Sequence, residues 1–184
     1  MKFALSEEQQ SLAEALDEII ESAGGTKVAR TWAEGNTEPG LALWGQLAEL
    51  GLFGLCLAED DGGMGGTAVD LAVAFERLGY HAVPGPYIES AALLPELVDS
   101  AVRSGILDGS LVATAAVPGP VPYALDAAAA HRSFVVGPGS LSEASAGPGI
   151  PSVDRTRTLN ELTAVGQETA LDPAAAELAV DRAT

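Results

Sequence analysis

Residues 57–80 read LAEDDGGMGGTAVDLAVAFERLGY, an apolar run that gives way to an acidic, glycine-dense loop and then to an amphipathic segment. Ahead of the loop, Leu52, Phe53, Leu55 and Leu57 crowd apolar side chains together, which predicts an extended, strand-like approach. Gly62, Gly63, Gly65 and Gly66 are expected to supply positive-φ conformations that a residue with a Cβ adopts only at a cost. After Thr67, a candidate N-cap, Val69, Ala72, Val73, Glu76 and Leu78 interleave with Leu71, Ala74 and Phe75 at spacings of three and four. This predicts a helix with a wide apolar face that closes at Gly79.

Working outward, Ser6 followed by Gln9 has capping-box spacing, and Leu12, Ala15, Leu16, Ile19 and Ile20 recur at helical intervals up to Gly24 and Gly25. A polar linker from Glu34 to Pro39 precedes a second helical pattern, Leu41 to Leu50, with Gly51 placed as a left-handed C-cap. Beyond the Pro84-Gly85-Pro86 break, Tyr87 to Ser100 predicts a fourth helix with Ile88, Ala91, Ala92, Leu94, Leu97 and Val98 inward, interrupted or bent at Pro95. Val102 to Leu107 adds a short helical turn.

From Gly109 the character changes to short apolar runs punctuated by Pro118, Pro120, Pro122, Gly137 to Gly139 and Gly147 to Pro151, which predicts short strands. Residues 153–165 alternate polar and apolar, as strands with one wet face do. Asp172, Pro173 and the alanines after them mark the start of a helix. The expected organisation is α+β: an all-α helical domain over 1–108, a small β-barrel-like domain over 109–171, and the start of a C-terminal helix over 172–184.

The 184 residues suffice for one domain or two small ones, and 47% hydrophobic content suffices for a packed core. The 26 acidic residues minus the 9 basic ones give a net charge of −17, whose field repels phosphate backbones and anionic membranes. Neither nucleic acid nor a membrane is therefore an expected partner, and an anionic ligand needs a local basic cluster or another chain. The single cysteine, Cys56, excludes an intrachain disulfide and is read as a buried thiol in a reducing, cytoplasmic compartment. No stretch has the roughly 18 uninterrupted apolar residues of a membrane span, and the N-terminal stretch from Met1 to Gln10 lacks a signal-peptide core.

The glycine loop lacks a P-loop lysine and dinucleotide-fingerprint spacing, and Glu59, Asp60 and Asp61 repel phosphate, so a structural turn is favoured over a phosphate cradle. The same three acids lack calcium-loop spacing and are read as a solvated loop. His81 and His131 have no ligand-spaced partners and are assigned surface or capping roles. No metal site is expected. Glu76 and Arg77 are read as a solvated or paired face.

The succession of the SEEQQ helix, WGQLAELGLFGL and LAEDDGGMGGTAVDLAVAFERLG resembles the N-terminal helical domain of the acyl-CoA dehydrogenase family. The resemblance continues through Pro84 to Leu97, then more loosely through a shortened middle β-domain from Leu111 to about Thr169, and from Asp172 into the first turns of the family's C-terminal bundle. It implies FAD-dependent α,β-dehydrogenation of an acyl-CoA thioester, as in fatty-acid or steroid degradation, with electrons passed to an electron-transferring flavoprotein. The family's catalytic glutamate belongs to the C-terminal domain, so no residue of this sequence is expected to fill that role.

The resemblance places the acyl chain near Tyr87, Ser90, Leu93 and Leu94, against the plainer reading of helix packing. Its flavin-binding Thr-Glu-Pro segment corresponds to Ala116-Val117-Pro118, where a methyl and an isopropyl group offer no hydrogen bond, and the later Trp-Ile-Ser/Thr segment has no counterpart, both Trp32 and Trp44 lying in the helical part. Backbone amides from Thr114 to Val117, including Ala116, are left as the expected flavin contacts. Arg155 and Arg157, taken as alternate residues of one strand, are expected to meet a CoA or FAD phosphate together, against the reading as a surface pair. The resemblance thus implies a flavoenzyme or a subunit of one, with FAD bound mainly by a partner chain; the alternative is a catalytically silent structural partner in a heteromeric acyl-CoA dehydrogenase.

Overall fold

The computed structural model describes residues 4–184; Met1 to Phe3, part of the N-terminal stretch read above for a signal peptide, lie outside the described residues. Helix α1 (Glu7–Ser22) begins with the capping box of Ser6 and Gln9, and α4 (Ala68–Tyr80) begins with a second one, in which Thr67 and Asp70 satisfy each other's orphan donors. The two boxes are joined: Gln9 Nε2 donates to Asp70 Oδ1 at 2.9 Å while Asp70 Oδ2 accepts from Thr67 N. Further along the same pair, Asp17 of α1 accepts from Arg77 at 2.7 Å and lies 2.9 Å from His81 Nε2. His81 is buried at the C-cap of α4, which ends at Tyr80, one residue beyond the expected Gly79.

Between them lie α2 (Thr26–Ala33) and α3 (Glu38–Glu49). Helix α2 is absent from the sequence reading, because its N-cap, Gly25, makes no side-chain hydrogen bond and it spans only two turns. Gly51 caps α3 with a φ of 90°, as expected.

The chain from Leu52 to Leu57 is not extended; it coils in 3₁₀ and other tight turns, and this changes the role of the glycines that follow. Only Gly62 and Gly65 have positive φ. Gly63 and Gly66 are there for space: a Cβ on Gly63 would lie 2.1 Å from the Leu57 carbonyl oxygen, and one on Gly66 2.6 Å from that of Leu55. The backbone N–H groups of residues 62 to 66 all donate to carbonyls of Glu59, Ala58, Gly54, Leu57 and Leu55. None is left to hold a phosphate, so the loop is architecture.

Helix α5 (Ser100–Leu107), capped by Asp99, leads into the sheet. Strands β1 (Ala113–Ala116), β2 (Ala124–Leu125), β3 (Arg132–Gly137), β4 (Ser140–Pro151), β5 (Thr158–Ala164) and β6 (Thr169–Ala170) form one sheet ordered β1-β3-β4-β5-β2, with β6 on β4. Only β1 and β3 are parallel, with Ala113 opposite Arg132 and Ala116 opposite Val135. The end strands approach each other where Thr114 Oγ1 of β1 donates to Leu125 O of β2 at 2.8 Å, which nearly closes the sheet into a barrel.

Gly147, Pro148, Gly149 and Pro151, read above as punctuation, lie inside β4. Pro148 is tolerated because the β4–β5 register shifts between Ala146 and Gly149, a bulge where a missing donor costs no ladder bond. Arg155 and Arg157 are not on a strand at all but in the turn before β5, so they do not share a strand face. Helix α6 (Pro173–Ala183) starts at Asp172 as expected and packs Ala176 and Ala179 inward.

One core runs from Leu16 and Ile20 of α1 through Trp44, Phe53 and Leu94 to Ala113, Phe134 and Val136 of the sheet and Ala179 of α6. At its centre Trp44 stacks on Phe53 and lies tilted against Tyr87, with centroids 4.3 and 4.5 Å apart. The glycine account has a direct check. Gly63→Ala is expected to lower the unfolding free energy by about 3 kcal/mol, whereas Gly45→Ala, whose Cβ meets nothing within 4 Å on α3, raises it by about 0.5–1 kcal/mol; chemical denaturation of both variants measures this.

Candidate functional site

Pro84-Gly85-Pro86 ends α4's exit and starts a short helical run at Tyr87. That run does not become the expected fourth helix. It widens into a π-helical turn, Glu89–Leu93, closed by Leu94 N donating to Glu89 O at 2.8 Å, and it stops before Pro95. Ala91, Ala92, Leu94, Leu97 and Val98 are buried as expected, but Ile88 is 42% exposed. The turn is pinned to the sheet by Ser90, whose hydroxyl donates to Ala113 O at 2.7 Å on β1.

The strap ahead of the turn is held by Arg157. Its guanidinium donates to Gly85 O at 2.9 Å and Val83 O at 3.2 Å and lies 3.5 Å from Asp126 Oδ2. Asp126 is buried after β2, has a φ of 50°, and accepts from Thr158 N at 2.8 Å. Burial raises its pKa, against the Thr158 N–H and the Arg157 charge.

Enclosed by the π turn, β1, the segment through β2 and the end of α6 is an apolar cavity of about 160 Å³, lined by Ile88, Leu93, Val117, Val121, Leu125 and Val180 among others. One acid, Glu89, is among its lining residues. Glu89 is 4% exposed, and its Oε2 has no hydrogen-bond partner. Burial pushes the Glu89 carboxyl up to about 7, against the backbone N–H groups of Glu89 and Leu125 and the Arg157 charge, with Asp126 adding to the rise. Tyr87 beside it is also fully buried with its hydroxyl unpaired, and burial raises its phenol well above the usual range.

Of the residues expected near an acyl chain, Leu93 lines this cavity. Ser90 is spent on β1, Tyr87 sits in the aromatic core, and Leu94 is fully buried in the core. Glu89 was not among the expected residues; the signal was available in Ile88-Glu89-Ser90-Ala91-Ala92-Leu93-Leu94, a single acid in an apolar run. Ile88 and the α6 residues were missed because their proximity depends on tertiary packing.

The expected flavin contacts lie on and just after β1 and in the turn before β5. Thr114 Oγ1 is committed to Leu125 O, and Ala116 and Val117 present only carbon. The N–H of Val117 donates to Val121 O at 2.8 Å. Arg157 is consumed by the strap, while Arg155 is exposed and lines a separate depression with Trp32 and Ala129.

The family model described as Acyl-CoA dehydrogenase, N-terminal domain, matches residues 6–98, about half of the 184-residue chain. Acyl-CoA dehydrogenase FadE34 of Mycobacterium tuberculosis is 35% identical over 88 residues, covering 48% of this chain and 12% of that protein. Among solved structures, a variant of the Tcur3481-Tcur3483 steroid ACAD aligns with a TM-score of 0.68 and 22% identity over 96% of this chain and 60% of that one. An acyl-CoA dehydrogenase complexed with FAD from Bacillus anthracis aligns with a TM-score of 0.65 and 15% identity, over 90% of this chain and 37% of that one. The chain therefore spans 12% of the curated relative and 60% or less of these two solved chains.

The buried acid gives a signed pH dependence. Its folded pKa of about 7 lies above the ordinary 4.5, so the native state favours the protonated form; the stability this gives is full below 4.5 and is lost as pH rises through about 7. Glu89→Gln, which is neutral throughout, is expected to exceed the parent in unfolding free energy by about 3 kcal/mol near pH 8, with the margin shrinking towards pH 4.5; denaturant titrations across that range measure it. Arg157→Met, which strands two carbonyls and Asp126, is expected to cost about 3 kcal/mol in the same assay.

Proposed function

The chain belongs to the acyl-CoA dehydrogenase family, and on that premise we propose that it is a component of an FAD-dependent enzyme that dehydrogenates acyl-CoA thioesters at Cα–Cβ, in which FAD is held mainly by a partner chain. The observation that carries this reading is the chemistry of β1 and its continuation. Ser90 is bonded to Ala113 at the start of β1, while the positions that the resemblance aligns with the flavin segment are Ala116 and Val117 or are already bonded, as Thr114 is.

The charge balance supports a contribution from another chain. Five of the nine basic residues, Arg77, Arg103, Arg132, Arg157 and Arg182, are taken by ion pairs with Asp17, Asp61, Glu143, Asp126 and Glu96. With a net charge of −17, little is left to neutralise the phosphates of CoA or FAD, so those groups bind where a partner supplies the cations. Of this chain's basic residues, Arg155 is the one kept as a phosphate contact, since Arg157 is bound to the strap.

In this reading the π turn and α6 form the wall against which the acyl group lies, with Leu93 in contact and Tyr87, Ser90 and Leu94 behind it. An electron-transferring flavoprotein takes the electrons. The setting is a reducing, cytoplasmic one, which suits the free thiol of Cys56. No helix among the described residues is long and apolar enough to cross a membrane.

Flavin absorption decides the matter. The chain purified alone and incubated with FAD is expected to remain colourless after gel filtration, and to elute yellow only with a dehydrogenase partner subunit. Stoichiometric flavin on the isolated chain overturns the partner-bound reading and makes the chain a flavoprotein in its own right.

A further inference from the structure

The cavity at Glu89 has a feature that holding a plain alkyl chain does not require. Its wall is carbon from Ile88, Leu93, Val117, Val121, Leu125 and Val180, and a hydrocarbon fills such a space without help. Yet Glu89 is among its lining residues, and one oxygen of that buried carboxyl, Oε2, has no hydrogen-bond partner, which is unfavourable in an apolar site. A ligand oxygen at that point supplies the missing hydrogen bond.

We propose that this cavity is a specificity pocket for a ring or short branched group carrying one hydroxyl or carbonyl oxygen, which Glu89 engages by hydrogen bonding. The proposal rests on the reading of this cleft as the wall of an acyl site and adds which kind of acyl group it selects. Size sets the first limit: a cavity of about 160 Å³ is close to one that holds benzene, so the occupant is a group of roughly six to eight non-hydrogen atoms. Chemistry sets the second. A neutral carboxyl both donates and accepts, so a carbonyl takes its O–H and a hydroxyl satisfies either role, whereas an anionic group would face Glu89 and Asp126 with only Arg157 to offset them. The charged groups acting on Glu89 are Arg157, in the turn before β5, and Asp126, after β2; neither lines the cavity, where Glu89 is the one ionisable side chain among the described residues.

Selectivity of this kind is strong because it works by loss. A site with a buried unpaired oxygen rejects the analogue that cannot bond it more sharply than it rejects one of slightly different size. The test uses the chain as it stands, labelled at the Leu and Val methyls, and titrates it with cyclohexanol, cyclohexanone and benzene while following Leu93, Val117 and Leu125. Cyclohexanol and cyclohexanone are expected to bind about ten-fold tighter than benzene. Glu89→Gln, which keeps a donor and an acceptor, is expected to hold that preference within about three-fold, and Glu89→Leu to reverse it in favour of benzene.

Equal binding of the three probes by the parent chain, no shift at these methyls with any of them, or an unchanged preference in Glu89→Leu each overturns the proposal. Methyl dispersion reports whether a variant is folded, and the parent and Glu89→Gln decide the question if Glu89→Leu is not. The assay needs no flavin, CoA or partner chain. A failure here leaves the dehydrogenase reading standing, and a yellow isolated chain leaves the pocket standing.

Discussion

Arg157 makes the joint on which the rest depends. A single guanidinium donates to the carbonyls of Val83 and Gly85 and sits against the carboxylate of Asp126, tying the strap after α4 to the turn before β5 and the segment after β2. A planar fork suits this task better than a point charge, because its donors diverge towards acceptors on two separate segments. The strap fixes where the π turn begins, the π turn fixes Ser90, and Ser90 bonds β1. Glu89 lies in the same turn and is buried with it. The cost of that burial falls on the same Arg157, whose charge offsets part of it.

Wherever a local rule set the structure, it was legible in the residues. Ser6 with Gln9, Thr67 as N-cap, Gly51 as C-cap and Asp172 ahead of Pro173 each act through neighbours within a few positions. The misreadings came from tertiary choices. Leu52 to Leu57 are apolar because they are buried under the glycine loop, and burial alone does not separate an extended chain from a coiled one. Gly63 and Gly66 looked like turn glycines, but close approach to Leu57 and Leu55 is a distance that no sequence pattern prints. Pro148 reads as a stop until the bulge in β4 removes the need for its N–H.

The candidate site followed the same division. Leu93 came from the family resemblance rather than from the helical periodicity, which left it out of the inward face, and it lines the cavity. Glu89 lies inside the same apolar run as Leu93, but an acid on a helix usually faces water, and only the π turn together with α6 closes it off. Arg155 and Arg157 were paired by strand alternation, a rule that fails when the residues lie in a turn.

The fold and the chemistry of the family can be separated because they rest on different atoms. The fold needs the Trp44, Phe53 and Tyr87 stack, the Ser90 bond to Ala113 and the small residues of β1, which pack at the core through methyl groups. The flavin segment that the resemblance places at the exit of that strand is Ala116-Val117 here, which suits the fold, since both are buried apolar groups in an apolar place. The same two residues leave any flavin next to them with backbone contacts alone. Glu89 departs in the other direction, adding a polar group where packing asks for carbon. On the proposed reading the two features divide the labour: Ala116 and Val117 leave the redox chemistry to a partner chain, and the value of Glu89 lies in what enters the cavity.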